Sequence, residues 1–296
     1  MKDERIHTVH IQDLAKSYRR KHALQPLQLK LMKGVTGLLG PNGAGKTTFM
    51  SLLATLVKPS NGTAQIYGHD LIDGARDIRS LLGYMPQRVN VPGQLTGEEL
   101  LLYAASMKGI KDAAARKQEA ERVLNEVNLL ERSGDRLKGY SGGMRQRIGI
   151  AQALIGQPRL LLFDEPTAGL DPSERIRFRN LVRGLGQERT VLLSTHIVSD
   201  LDSTCEYVVV FHKGRLHFQG TLQELADQAA GKVWETIVSP LQAEEWYAKR
   251  LVVSGSREGD GMRLRLIADE IPTAEAKSVE PTLEDGYVAV LKENML

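Results

Sequence analysis

At 296 residues, with 42% hydrophobic and 25% charged positions, the chain has room for one large domain plus a smaller one and is too apolar to be disordered. Its net charge of +3, from 39 basic and 36 acidic residues mixed along the chain, excludes a basic nucleic-acid arm, and the lone Cys205 excludes an internal disulfide and fits a reducing compartment. No apolar run approaches the ~20 residues of a membrane-crossing helix, and MKDERIH leads into no apolar segment of a secretory signal.

In chain order, the alternating IHTVHI near the start reads as a half-exposed antiparallel strand, as does TAQIY at 63 to 67. Between them GVTGLLG, at 34 to 40, is almost wholly apolar and marks a strand buried on both faces. Thr96 and Glu99 form a capping box ahead of LLYAA. Asp112 caps AAARKQEAERVLNEVNLL, whose Val123, Val127 and Leu130 recur on one face. A third helix starts at Ser141, buries Met144, Ile148, Ala151 and Ile155, and stops at Gly156 and Pro158. Together these predict an all-helical block at about 88 to 157. RLLLFD at 159 to 164, TVLLS at 190 to 194 and YVVVF at 207 to 211 repeat the buried-strand pattern, and the helical stretch at 173 to 185 turns Ile176, Leu181, Val182 and Leu185 inward. Such runs separated by helices predict a largely parallel sheet covered by helices. Lys213-Gly214 turns a last hairpin into RLHFQ. Beyond about residue 221, VWETIV and MRLRLI alternate, GSREGDG reads as a turn-rich loop and PTLEDGYVAVLKENML as a closing helix. Residues 222 to 296 therefore form a small α/β appendage.

Chemistry concentrates in a few short segments. GPNGAGKT, Gly40 to Thr47, fits the G-x-x-x-x-G-K-Ser/Thr pattern between a buried strand and a helix. Its glycines let backbone N–H groups of Gly40, Pro41's neighbours Asn42 and Gly43, and Ala44 to Thr48 converge on phosphates, and the helix start adds its positive end. Lys46 is expected to reach the β and γ phosphates and the Thr47 hydroxyl to ligate Mg²⁺. LLLFDE at 160 to 165 ends a buried strand in two carboxylates. Alone they would simply cap the next turn, but beside a phosphate loop Asp164 can hold Mg²⁺ and Glu165 can orient and deprotonate the attacking water. SGG at 141 to 143 makes a second anion-binding helix start. Taken singly, His196 after TVLLS, Gln87 after LLGYMP and Tyr18 in LAKSYRR are ordinary surface or packing residues.

In this order, Tyr18, GPNGAGKT, Gln87, SGG, LLLFDE, AGLD at 168 to 171 and His196 resemble the ATP-binding subunit of an ABC transporter, over residues 6 to about 221. The resemblance implies an α/β P-loop NTPase cassette: a mainly parallel mixed sheet, an antiparallel β part and a helical subdomain, with the appendage beyond. It implies ATP and Mg²⁺ as ligands, Tyr18 as the adenine-stacking aromatic and Gln87 as the hinge glutamine that senses the membrane subunit; in that setting Gln87 could reach Mg²⁺ or the attacking water, and His196 could hydrogen-bond the γ-phosphate. Ser141, Gly142 and Gly143 of a second copy, or of a related ATPase subunit, would close over the γ-phosphate held by Lys46. Ala168 to Asp171 would link the two sites. Partners would be integral membrane permease subunits, with no nucleic acid, and the chain would sit on the cytoplasmic face of the membrane. YSGGMRQR departs from the usual LSGGQ at Tyr140 and Met144 but keeps Ser-Gly-Gly. With AGLDP and EPTLEDGYVAVL it resembles the ATPases of ABC-2-type exporters.

A soluble ABC ATPase acting on ribosomes or DNA is the competing expectation. One cassette, no sustained heptad and no basic patch speak against it. A phosphate-loop kinase or GTPase has no use for Ser141 to Gly143, and no guanine-reading N-K-x-D occurs.

Overall fold

The computed structural model describes residues 7 to 19 and 21 to 292; Ile6 of the first alternating run, most of MKDERIH and the last four residues of the closing segment lie outside them. The chain opens with β1 (His7–Tyr18) and β2 (Lys21–Met32), paired antiparallel. Leu27, Leu29 and Leu31 alternate inward on β2, which sequence reading did not single out, and Pro26 is tolerated because β2 is an edge strand. β3 (Gly34–Leu39) leads through the phosphate loop into α1 (Lys46–Leu53). After β4 (Asn61–Ile66), β5 (His69–Asp70) and α2 (Ala75–Leu81) comes β6 (Leu82–Met85). β4 pairs with β1, so the expected antiparallel part is a four-stranded sheet, order β2-β1-β4-β5.

The helical block contains α3 (Gly97–Met107), α4 (Ala113–Glu126) and α5 (Gly142–Leu154). Each starts where its cap predicts: the Thr96–Glu99 capping box closes α3, Asp112 accepts from Ala115 N–H, and Ser141 accepts from Met144 N–H. The helix expected to run through Leu130 ends at Glu126, because Asn128 takes a left-handed φ of 53°. Leu130 is consequently 44% exposed. Met144 is only half-buried.

β7 (Leu160–Asp164), α6 (Pro172–Gly186), β8 (Thr190–Thr195), α7 (Ser199–Asp202), β9 (Tyr207–His212) and β10 (Arg215–Thr221) complete a six-stranded sheet, order β10-β9-β3-β8-β7-β6. Every neighbouring pair is parallel except β9–β10, whose turn at Lys213-Gly214 has both residues at positive φ. β3, β7 and β8 are buried throughout, as strands covered on both faces must be. On α6, Phe178, Val182 and Leu185 form the inward stripe, and Ile176 is 51% exposed: two residues before Phe178 it points about 200° away around the helix.

The appendage contains α8 (Leu222–Ala226), β11 (Val233–Val238), α9 (Pro240–Lys249), β12 (Leu251–Glu258), β13 (Gly261–Ile267), β14 (Lys277–Ser278) and α10 (Leu283–Leu291). Its sheet, order β12-β13-β11-β14, packs Leu264 and Leu266 against Ala243 and Trp246 of α9. The expected GSREGDG loop is mostly strand: β12 runs to Glu258 and only Gly259-Asp260 turns. The boundary expected at 221/222 runs through continuous packing. Leu225 of α8 and Leu291 of α10 are fully buried in the larger cassette core, with Leu222, Leu283 and Tyr287 against it. Each such buried side chain contributes about 1.5–3 kcal/mol. Among the described residues no helix is long and apolar enough to cross a membrane.

Candidate active site

Parallel strands place their carboxyl ends along one edge of a sheet, where α/β folds bind ligands. Here β3, β6, β7 and β8 deliver, respectively, the phosphate loop, Gln87, Asp164-Glu165 and His196 to that edge. At Gly40 a Cβ would lie 2.3 Å from the Phe211 carbonyl oxygen, so only glycine lets the chain pass. Gly43 and Gly45 take φ of 80° and 104°. No side chain caps α1, which leaves its first N–H groups for a ligand.

Lys46 folds over this loop. Its ammonium donates to the Gly40 carbonyl at 2.6 Å and the Pro41 carbonyl at 3.3 Å, and lies 3.4 Å from Glu165 Oε1, with only 5% of the residue exposed. Burial holds its pKa below the ordinary lysine value, partly offset by Glu165 and Asp164. An anion at the loop would restore the favourable charge. Asn42 to Thr48 line a cleft of 590 Å³ together with Gln87 and Glu165, and Lys21, His22, Ala23, Lys213 and Gly214 form its other wall.

Asp164 is fully buried. Its Oδ1 accepts a hydrogen bond from the Ser194 hydroxyl at 2.5 Å, and Ser194 Oγ in turn accepts from the Glu165 N–H at 2.9 Å. Asp164 Oδ2 is buried with no partner among the described residues, as expected of an acceptor that can take a cation. The donor set fits Mg²⁺, a hard ion that takes one or two carboxylates plus hydroxyl, phosphate and water oxygens. Glu165 has a left-handed φ of 48°, which a β-strand cannot continue, so its side chain turns into the cleft mouth. There its Oε2 accepts from Gln87 Nε2 at 3.1 Å and lies 3.4 Å from His196 Nδ1. Lys46, Gln87, Glu165 and His196, chosen from four separate segments, thus meet at one carboxylate.

The remaining candidates lie elsewhere. Tyr18 ends β1, is 46% exposed with the Lys16 ammonium 5.0 Å from its ring centroid, and does not line the cleft, although Lys21 to Ala23 of the same hairpin do. Ser141 and Gly142 are exposed, no described atom outside Gly142's own helix turn lies within 4 Å of where its Cβ would stand, and none of Ser141 to Gly143 lines the cleft of its own chain. Asp171 caps α6, accepting from Glu174 N–H at 2.9 Å and the Ser173 hydroxyl at 2.8 Å. These bonds, the backbone one first, hold its carboxyl below the usual range.

Several supporting residues escaped sequence reading. Ser194 carries a legible signal, a hydroxyl closing a wholly apolar run. Thr167 donates to the buried Asp200 at 2.8 Å, and Gln146 Nε2 donates to the Pro166 carbonyl at 2.6 Å. Neither pair has a local signature, since its members are distant in sequence.

A family profile described as "ABC transporter" matches residues 24–168. An uncharacterized ABC transporter ATP-binding protein of Bacillus subtilis is 36% identical over 245 residues, 82% of this chain and 81% of that protein. The daunorubicin/doxorubicin resistance ATP-binding protein of Streptomyces peucetius is 35% identical over 263 residues, 87% of this chain and 79% of its own. Among solved structures, an ATP-binding subunit of an ABC transporter superposes with a TM-score of 0.67 at 29% identity, covering 75% of this chain and 92% of that one. A dimeric ATP-binding cassette in a post-hydrolysis state with ADP and Pi shares the fold at a TM-score of 0.67 and 24% identity, over 72% of this chain and 98% of the other.

Proposed function

The chain belongs to the family of ABC transporter ATP-binding proteins, cassettes that bind and hydrolyse ATP, and from that premise we propose how this one works and with whom. Residues 1 to 221 act as the cassette, with the helical subdomain at about 88 to 157, and residues 222 to 296 as an accessory domain. Two copies, or this chain and a related subunit, pack head to tail around ATP. The observation that carries this reading is the convergence of Lys46, Gln87 and His196 on Glu165, beside the unpartnered Asp164 Oδ2, while the Ser141 helix start stands open outside that cleft.

Lys46 and the N–H groups of Asn42 to Thr48 hold the β and γ phosphates, and Lys46 leaves the Gly40 and Pro41 carbonyls to do so. Thr47, Asp164 and Gln87 would hold Mg²⁺, which would supply positive charge against the phosphate oxygens. Glu165 takes a proton from the attacking water. Gln87 and His196, already on its carboxylate, orient it, and His196 is then placed for the γ-phosphate. Tyr18 stacks on adenine at the rim. Ser141 to Gly143 of the second copy add helix-start donors to the γ-phosphate beyond Lys46 and His196 of the first. Closure and opening of this dimer pass through Gln87 and the helical block to permease subunits at the cytoplasmic face of the membrane, and likeness to a drug-resistance protein supports export.

Glu165→Gln tests the scheme. ATP binding is expected to stay within about 3-fold of wild type, turnover to fall by about 100-fold or more, and an ATP-bound dimer to accumulate on size exclusion. Unchanged steady-state hydrolysis would remove Glu165 from its role.

A further inference from the structure

We propose that Gln146 is a positioning residue for Glu165, tying the Ser141–Gly143 end of α5 to the hydrolytic carboxylate of the same chain; this rests on the ATPase reading above. Glu165 starts a tight turn at a left-handed φ of 48°, a conformation a non-glycine residue keeps only when its surroundings hold it. Inside the turn, Ala168 N–H reaches back to the Glu165 carbonyl at 3.2 Å. Three anchors then fix it from outside. Ser194 Oγ accepts from Glu165 N–H at 2.9 Å, Thr167 donates to Asp200 at 2.8 Å, and Gln146 Nε2 donates to the Pro166 carbonyl at 2.6 Å. The first two come from β8 and α7, in the same rigid layer as the turn. The third comes from α5, in the helical block.

Gln146 sits five residues into a helix whose cap is Ser141, about 7 Å along a stiff rod at 1.5 Å per residue. One residue on, Arg147 Nε lies 3.2 Å from Glu174 Oε2 in the first turn of α6, so α5 is joined to both ends of the segment 165–174. A tilt of α5 as a second nucleotide seats on its N-terminus therefore moves Pro166, and with it the backbone that aims Glu165. In the dimer each α5 serves the site opposite, whereas each Glu165 serves its own. Gln146 thereby makes one site's geometry respond to occupancy of the other.

Gln146→Met keeps the length and removes the donor, and Gln146→Lys keeps an N–H donor of similar reach. In the full chain, Gln146→Met is expected to lower kcat about 10-fold with the ATP Kd within about 2-fold, and Gln146→Lys to recover most of it. In a Glu165→Gln background the Met substitution should change the residual rate less than about 2-fold, because it acts through that carboxylate. Mixed dimers locate the effect. With Lys46→Ala in one copy only a single site works, and Gln146→Met should slow it when placed in the copy that supplies the working Glu165. Unchanged kcat, equal losses with and without Glu165, or failure of Gln146→Lys to recover activity at wild-type melting temperature would each overturn the proposal. If Gln146→Met does not fold, Gln146→Glu, which loses the amide donor at nearly the same shape, is read by the same criteria. Wild-type protein without ATP turnover would instead count against the ATPase reading.

Discussion

α1 and α5 both begin in glycine-rich turns, and the two starts are in opposite conditions. At α1 the start is enclosed: Lys46 is buried, its ammonium is shared by Gly40, Pro41 and Glu165, and two carboxylates of the β7 end stand beside it. At α5 the start is open, with Ser141 satisfying only the Met144 N–H and empty space beside Gly142. Helix-end donors are the same in both, so the local motif does not distinguish a site from half a site. What distinguishes them is what the sheet places opposite. The start of α10 is a useful third case, since Thr282 and Asp285 close it reciprocally and leave nothing to offer.

The contrast can be broken by substitution. Lys46→Ala should lower turnover about 1,000-fold and weaken ATP binding about 30-fold, read by phosphate release and nucleotide titration. Because burial lowers the Lys46 pKa, with Glu165 and Asp164 only partly restoring it, wild-type ATP affinity should decline as pH rises while still below 10.5. Ser141→Arg should cost about 100-fold in turnover yet leave ATP binding by dilute protein unchanged. Loss of that binding would mean the α5 start serves its own chain's nucleotide. Ser194→Ala frees Asp164 Oδ1 and the Glu165 N–H and should raise the Mg²⁺ concentration for half-maximal rate about 10-fold.

Thr282→Ala, at the start that has no ligand, should destabilise the protein by about 1 kcal/mol without altering ATP affinity. Both tryptophans, Trp234 and Trp246, lie in the appendage, so their fluorescence follows this region. Burial alone would raise the Asp285 carboxyl, but hydrogen bonds from Arg265 and Thr282 outweigh it and hold its pKa below the usual value. A carboxyl lowered on folding stabilises the native state above its unfolded pKa, about 3.9, and that contribution disappears as pH falls through the native value. Acid titration of the tryptophan signal should show the appendage loosening in that range, and earlier in Arg265→Met.

Much of the scaffold was legible because it is written locally. Thr96, Asp112 and Ser141 start their helices through bonds to residues three positions on, and the apolar runs of β3, β7, β8 and β9 declare their burial on both faces. Errors arose where the deciding contact is distant. Ile176 is as apolar as Phe178, and tertiary packing, with Phe178 edge-on to Phe163 and Val182 and Leu185 in the same core, selects the face of α6. The glycine and charges of GSREGDG suit a loop, yet residues 255 to 258 extend the edge strand β12 and pair with β13, with Gly255 leaving room for the Tyr247 hydroxyl. The overlap of appendage and cassette at Leu225 and Leu291 was equally invisible, because one core drew on both ends of the segment.

By itself, then, the amino-acid order determined the phosphate loop, the paired carboxylates, the helix starts and the alternation of strand and helix, all of which depend on spacings of a few residues. Only the tertiary structure decided that Glu165 is where Lys46, Gln87 and His196 meet, that Asp164 keeps one buried oxygen unpaired among the described residues, and that Ser141 lies outside its own chain's cleft. The reason is geometric: parallel strand order brings the ends of distant segments to one edge, and no local spacing encodes which ends become neighbours.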